Sequence, residues 1–313
     1  MVCVRVNAVH GFTKAAYIAG TLTEQDGAIS RQAGSVLVTG VPRSGTTWLA
    51  RLLAHAGNAA LAGREPMNPH RGQYRLAGTV SAWTRLSSPT PQQRRILRRA
   101  YRGFDPRVYS RYGLRQWRAP LPGTRLIVKD PFALLSIETI ADVTGALPVL
   151  IYRHPGAVLT SYRRMGWHPD IEEIQDAVGA SALYDTDAFT DDVHRMGWFW
   201  RICHQIALEQ LSQLPQAVVV SHRDLSLADA PAVRTLFDAC GLQWSRKAAA
   251  EVARWSDPTA ANPAPGNRLH VANRLPRGIE DSWRKQLDPA DVFRLEQLAG
   301  DVLNEVELRR LPL

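Results

Sequence analysis

Short apolar runs recur along the chain, each followed by a stretch with helical periodicity. Ser35-Val-Leu-Val-Thr-Gly40 leads into a Pro/Ser/Gly/Thr turn and a helical pattern over Thr47–Ala56. Arg125-Leu-Ile-Val-Lys129 precedes a helix near Leu135–Val143, and Leu147-Pro-Val-Leu-Ile-Tyr152 precedes one over Gly156–Arg164. Ala217-Val-Val-Val-Ser221 comes before Ala230–Cys240, where Val233, Leu236, Phe237 and Cys240 fall at i, i+3, i+4 and i+7. Near-continuous apolar strands alternating with helices predict an α/β fold, a parallel sheet of five-stranded type flanked by helices. There is no internal repeat and no low-complexity segment.

Three stretches break this rhythm. Residues 66–120 are rich in Arg, Tyr and Trp and read as a helical insertion on the acceptor side, with Leu97, Ala100, Tyr101 and Phe104 forming its apolar face. Arg94, Arg95, Arg98, Arg99 and Arg102 lie elsewhere on that helix. Residues 165–190 look irregular, and the Pro-containing stretch 256–282 reads as a long loop before a final helix marked by Val292, Leu295, Leu298 and Val302. The domain plan is an N-terminal extension over 1–34 and one domain over 35–313.

Composition narrows the class. A chain of 313 residues that is 45% hydrophobic and 21% charged is neither disordered, collagenous nor coiled-coil. No apolar stretch is long enough to span a membrane, and Met1–Gly20 carries Arg5, His10 and Lys14 without the apolar core of a secretion signal. Cys3, Cys203 and Cys240 stand at no metal spacing and read as free thiols, so a cytoplasmic location is expected. The net charge of +9 comes from 38 basic residues of which only Lys14, Lys129, Lys247 and Lys285 are lysine, a bias that a GC-rich genome also produces. From Arg94 to Arg118 the arginines face a single acid, Asp105. Such a surface suits phosphate, sulfate or nucleic acid partners and could grip an anionic acceptor, and a solvated helix face is the plainer account.

The sharpest feature is Gly40-Val-Pro-Arg-Ser-Gly-Thr-Thr-Trp48, between the first strand and its helix. A Gly-rich turn that opens a helix aims backbone N–H groups and the positive end of the dipole at an anion. Its frame is nearly that of a nucleoside-triphosphate loop. That loop places Lys after the second Gly, whereas Thr46 stands here and the cation is Arg43. The loop therefore points to a 5′-phosphate group and away from ATP or GTP hydrolysis.

At residues 42–48 the sequence resembles the sulfotransferases that use 3′-phosphoadenosine-5′-phosphosulfate (PAPS), whose loop reads Pro-(Lys/Arg)-Ser-Gly-Thr-Thr, often followed by Trp. The wording is most similar to the carbohydrate and protein-tyrosine branches. The resemblance implies that Pro42, Arg43, Ser44, Gly45, Thr46 and Thr47 hold the 5′-phosphosulfate and that Trp48 stacks near the adenine. A second motif fits the same family. Arg153-His-Pro-Gly-Ala-Val-Leu-Thr-Ser161 follows a strand and opens a helix, with Arg153, Pro155 and Ser161 at the spacing of the 3′-phosphate site. A bidentate guanidinium and a hydroxyl on one phosphate distinguish PAPS from ordinary adenylates. Looser matches are Ser221-His-Arg-Asp-Leu225, with His222 where the family has Tyr, and the lid segment 277–285. From that segment Arg277 and Gly278, with Arg274 as a substitute for the missing first Arg, are carried over as cofactor contacts.

Sulfuryl transfer to an alcohol needs a base for its proton and cations for the leaving phosphate. Arg43 is the natural cation. The histidine base of the cytosolic branch is missing, because the strand runs on as Lys129-Asp130-Pro131-Phe132. In the glycan- and tyrosine-modifying branches a Glu about twenty residues beyond the loop takes that role, and Glu65 lies 22 residues past Arg43. Asp130 is the second candidate base. Pairing of Glu65 with Arg64 or Arg71 on a surface turn, and of Asp130 with Lys129, are the non-catalytic readings. His194, Cys203 and His204 lack metal-ligand spacing and read as packing, and His168 as a solvated loop residue.

The reading is a PAPS-dependent sulfotransferase that acts on a hydroxyl of a glycan, lipid or small molecule, an anionic one included, and releases 3′,5′-adenosine bisphosphate (PAP). No metal, nucleic acid partner or membrane span is expected. The alternatives are a small-molecule kinase on a degenerate phosphate loop and a non-catalytic binder of anionic polymers.

Overall fold

The computed structural model describes residues 34–105, 118–179, 191–255 and 281–313. Five parallel strands form one sheet: β1 (Val36–Thr39), β2 (Ala59–Leu61), β3 (Arg125–Lys129), β4 (Leu147–Tyr152) and β5 (Val218–Ser221), in the order β2-β3-β1-β4-β5. The α/β fold expected from the alternation of apolar runs and helices is the one observed. β2 has no counterpart in the sequence reading, since three residues of Ala-Ala-Leu carry too little pattern to announce an edge strand.

Alternate strand residues feed two cores. Leu37, Leu126, Val128, Leu150 and Val219 face one side, with Leu97 and Ala100 of α3 (Pro91–Tyr101), Ile140 of α4 (Ile137–Thr144), Val158 of α5 (Pro155–Met165), Phe199 and Trp200 of α7 (Asp192–Ser212) and Leu295 of α11 (Pro289–Leu308). Val36, Val38, Ile127, Val149, Ile151 and Val220 face the other side. They pack there with Leu49 and Leu52 of α1 (Thr46–Leu53), Leu225 of α8 (His222–Leu227), Phe237 of α9 (Ala230–Ala239) and Val252 of α10 (Arg246–Trp255). The helix after β1 thus covers one face while the helix after its neighbour β4 covers the other. Adjacent parallel strands whose helices diverge in this way leave a crevice at their C-terminal ends, the usual ligand position in open α/β sheets.

The insertion is regular only in part. Among its described residues α3 is a full helix, started by a capping box in which Thr90 Oγ1 accepts from the Gln93 N–H and Gln93 Oε1 from the Thr90 N–H. The single turn α2 (Arg75–Gly78) contains Leu76 and Ala77 at positive φ. Phe104, assigned to the apolar face, is 58% exposed, because the helix ends at Tyr101 and Gly103 turns the chain at φ 70°. The expectation of irregular structure over 165–190 is corrected by α6 (Ile171–Val178), whose Ile171, Ile174 and Gln175 are buried at i, i+3 and i+4. The N-terminal extension 1–34 (apart from Gly34) and most of the 256–282 loop lie outside the described residues.

Candidate active site

The phosphate loop sits at the C-terminal end of β1. Gly40 is required there, because a Cβ on it would lie 2.1 Å from the Ile151 carbonyl oxygen of β4. Gly45 has φ 99°, and a Cβ on it would stand 2.6 Å from His222 Cδ2. Arg43 itself takes φ 75°, a left-handed conformation that costs an L-residue about 1–2 kcal/mol. The Ser44 N–H bonded to the Val41 carbonyl at 3.0 Å holds the turn that imposes it. The loop then runs into α1, whose first N–H groups have no intrahelical acceptors. Ser44 is fully buried, and its Oγ finds no partner among the described residues. Trp48 packs 5.3 Å from the His222 ring and 5.0 Å from that of Trp255 at the end of α10.

Arg153 follows the last residue of β4. Trp200 Nε1 donates to its carbonyl at 2.9 Å, and its buried Nε has no partner among the described residues. Burial first, then the charges of Arg164 and Arg43, lower its guanidinium to a pKa of about 10. Ser161, two turns into α5, is buried and accepts from Arg43 Nε at 3.0 Å and from Arg164 Nη2 at 3.4 Å. The two motifs found 110 residues apart in the sequence therefore meet through one hydrogen bond across the crevice. Three guanidinium groups around a buried hydroxyl, with a buried N–H and a buried hydroxyl awaiting partners, suit a phosphate-bearing ligand. His154 caps α5 by accepting the Gly156 N–H on Nδ1 at 3.1 Å, which requires a neutral ring, and burial lowers its pKa to about 4. Its ring stacks on Trp283 at 4.3 Å.

Glu65 lies in a loop after β2 and is buried rather than on a surface turn. Neither Arg64 nor Arg71 is its partner. Lys129 Nζ donates to one of its carboxylate oxygens and Asn68 Nδ2 to the other. Lys129 ends β3 in register with Val38 of β1, which places the Glu65–Lys129 pair beside the strand that opens the phosphate loop. Burial brings the Lys129 ammonium down to a pKa of about 8. Asp130 does not pair with Lys129 as a surface ion pair would. It is fully buried, its carboxylate accepts the N–H groups of Met67 and Phe132, and burial pushes it up to about 7. By holding Met67 it fixes the loop that carries Glu65. The structure thus gives Asp130 a positioning task, with both oxygens occupied by backbone donors.

His204 packs against Trp200 at 3.7 Å and donates from Nδ1 to the Trp200 carbonyl, and His194 contacts Asp191, so both serve packing and capping. No cluster of metal-ligating side chains occurs among the described residues. Arg274, Arg277 and Gly278 lie outside the described residues.

The profile of the sulfotransferase family matches residues 35–246, which takes in both phosphate motifs, Glu65 and Lys129. This chain belongs to the sulfotransferase family. Among solved structures, this sulfotransferase is similar to the sulfotransferase domain of the Synechococcus PCC 7002 olefin synthase, with 16% identity over 87% of this chain and 98% of that one and a TM-score of 0.44. It is also similar to mouse sulfotransferase SULT7A1 complexed with PAP, with 12% identity over 88% and 86% of the two chains and a TM-score of 0.47. Sulfotransferase STF9 from Mycobacterium avium matches at 14% identity over 83% and 78%, with a TM-score of 0.39. No curated protein sequence matches this sulfotransferase.

Proposed function

We propose that this sulfotransferase transfers the sulfuryl group of PAPS to an acceptor hydroxyl. The observation that carries the reading is the Arg43–Ser161 hydrogen bond, which joins the loop suited to a 5′-phosphate with the motif suited to a 3′-phosphate. The loop amides, Ser44, Thr46, Thr47 and Arg43 hold the 5′ side, while Arg153 and Ser161 hold the 3′-phosphate, with Arg164 beside them. Gly45 and Pro42 shape the loop, Trp48 borders the adenine, and Arg274, Arg277 and Gly278 are the further cofactor contacts expected from the sequence. PAPS supplies an activated sulfuryl group on a 5′-phosphate leaving group.

The chain's own residues supply the rest. Glu65 takes the acceptor hydroxyl proton on a carboxylate oxygen. Lys129 donates to that carboxylate, and Asn68 and the Asp130–Met67 tether fix its position. Arg43 meets the charge that grows on the leaving phosphate. Burial of Glu65 and Arg153 keeps both in a low-dielectric setting, where charge complementarity counts for most. The test is formation of PAP from PAPS against panels of phenols, sugars and lipid alcohols, with sulfated product detected by mass. Sulfation by the unaltered chain and its loss in Glu65→Gln support the reading; phosphorylated product from ATP-Mg²⁺ opposes it.

A further inference from the structure

The α3 helix carries a second cationic surface, formed by none of the residues assigned to the site above. At 3.6 residues per turn, Arg95, Arg98, Arg99 and Arg102 fall within an arc of about 100°. Buried Leu97 and Ala100 lie on the opposite side of the helix. All four arginines are exposed. Arg98 Nε donates to the Val143 carbonyl at 3.3 Å, and none of the four has a carboxylate partner among the described residues. Arg163, Arg195, Arg201 and Arg294, by comparison, are each ion-paired to an Asp or Glu. At the C-terminal end of the stripe Gly103 packs on Ala119 and Pro120, and the flanking Phe104 and Leu121 are 58% and 52% exposed.

From this arrangement we infer that the α3 face, with Phe104 and Leu121 at its end, docks on a bilayer that contains anionic lipid. Four guanidinium groups in one stripe, without a carboxylate partner among the described residues, complement lipid phosphates. The apolar pair selects the bilayer over a soluble polyanion. A hydrated glycan or nucleic acid would satisfy the arginines but leave both side chains in water, whereas the headgroup–acyl boundary accepts them. Two weak signals, one electrostatic and one apolar, are what reversible surface attachment requires. No helix among the described residues is long and apolar enough to cross a membrane, so the attachment is to the surface. This inference is independent of the donor and acceptor proposed above.

The test is sedimentation of the full chain with phosphatidylcholine vesicles, with and without phosphatidylglycerol, over a salt series. The chain should sediment with the anionic vesicles only, and high salt should release it. Each cation near such a surface strengthens partitioning about fivefold, so Arg95→Gln/Arg99→Gln/Arg102→Gln should weaken it about a hundredfold. Phe104→Ser/Leu121→Ser should weaken binding without changing its salt slope. Far-UV circular dichroism and thermal unfolding serve as the folding control, and the salt series on the unaltered chain needs no variant. Three results would overturn the assignment: no sedimentation with anionic vesicles, full binding by the arginine triple variant, or salt-dependent binding to heparin with no effect of the Phe104/Leu121 change. The last would give the stripe to a soluble polyanion.

Discussion

Arg43 Nε donates to Ser161 Oγ at 3.0 Å, although 118 positions separate the two residues. The bond spans the crevice between β1 and β4 and ties the phosphate loop to the helix that carries Arg153. It joins the two proposed phosphate subsites into one cradle. Truncation on one side should therefore be felt on the other.

Ser161→Ala removes the hydroxyl that accepts from the half-buried Arg43 guanidinium. A hydrogen bond to a charged group is worth about 1.5–3 kcal/mol, so PAP affinity should fall roughly tenfold to a hundredfold. The same variant should slow turnover by releasing the Arg43 guanidinium. Titration calorimetry and steady-state kinetics on one preparation separate the two effects, and a change in neither would remove the cradle from the account.

Glu65 and Lys129 form a buried pair, and their structural and chemical tasks can be told apart. Lys129→Met alone strands the Glu65 charge and should cost about 3 kcal/mol of stability. Combining it with Glu65→Gln should restore most of that loss. Activity should not return, since the proton acceptor is gone; Glu65→Gln alone is expected to lower kcat by about 10²–10⁴ with PAP affinity intact. Thermal unfolding of the single and double variants reads the first half, and kcat the second.

His204 is fully buried with a pKa lowered from 6.5 to about 4, mainly by burial. The folded state therefore binds its proton less readily than the unfolded state does. Its contribution is present above the unfolded pKa of 6.5 and is lost as pH falls through the folded value near 4. Across that window the chain should lose about 3 kcal/mol more stability than His204→Phe does. Denaturant unfolding at a series of pH values checks this, and parallel curves for the two proteins would contradict it.

Gly156 leaves no room for a methyl group: a Cβ there would lie 2.4 Å from Trp283 Cζ3 and 2.7 Å from Cε3. Gly156→Ala should cost about 1–3 kcal/mol by overpacking and should disturb the His154–Trp283 stack. A shift in tryptophan fluorescence together with a lower Tm would report both.

Much of this architecture was legible in the linear pattern. β1, β3, β4 and β5 are apolar runs bounded by Gly, Pro or polar residues, and both phosphate motifs sit at strand ends where spacing alone can find them. What escaped depends on contacts between distant segments. Lys129 reads as a cation at a strand end until Asp130, 63 positions from Met67, draws the Glu65 loop over it. For the same reason the sequence, which offers Asp130 as the second candidate base, does not show that it is fully buried and holds the N–H groups of Met67 and Phe132. Local weakness hid β2 and α6: β2 offers three residues of pattern, and α6 two turns between Pro169-Asp170 and Gly179. His222 marks the opposite case, a departure from the family's Tyr whose ring fills the space against Gly45 and Trp48.

The central claim is that the crevice between β1 and β4 recognises a nucleotide with phosphates on both the 3′ and 5′ positions. Titration calorimetry of PAP, ADP and ATP-Mg²⁺ against the chain and Arg153→Ala tests it most directly. The account predicts tight binding of PAP, much weaker binding of ADP and ATP-Mg²⁺, and a loss of about 3 kcal/mol for PAP alone in the variant. Equal affinity for PAP and ADP, or PAP binding unchanged by Arg153→Ala, would contradict it.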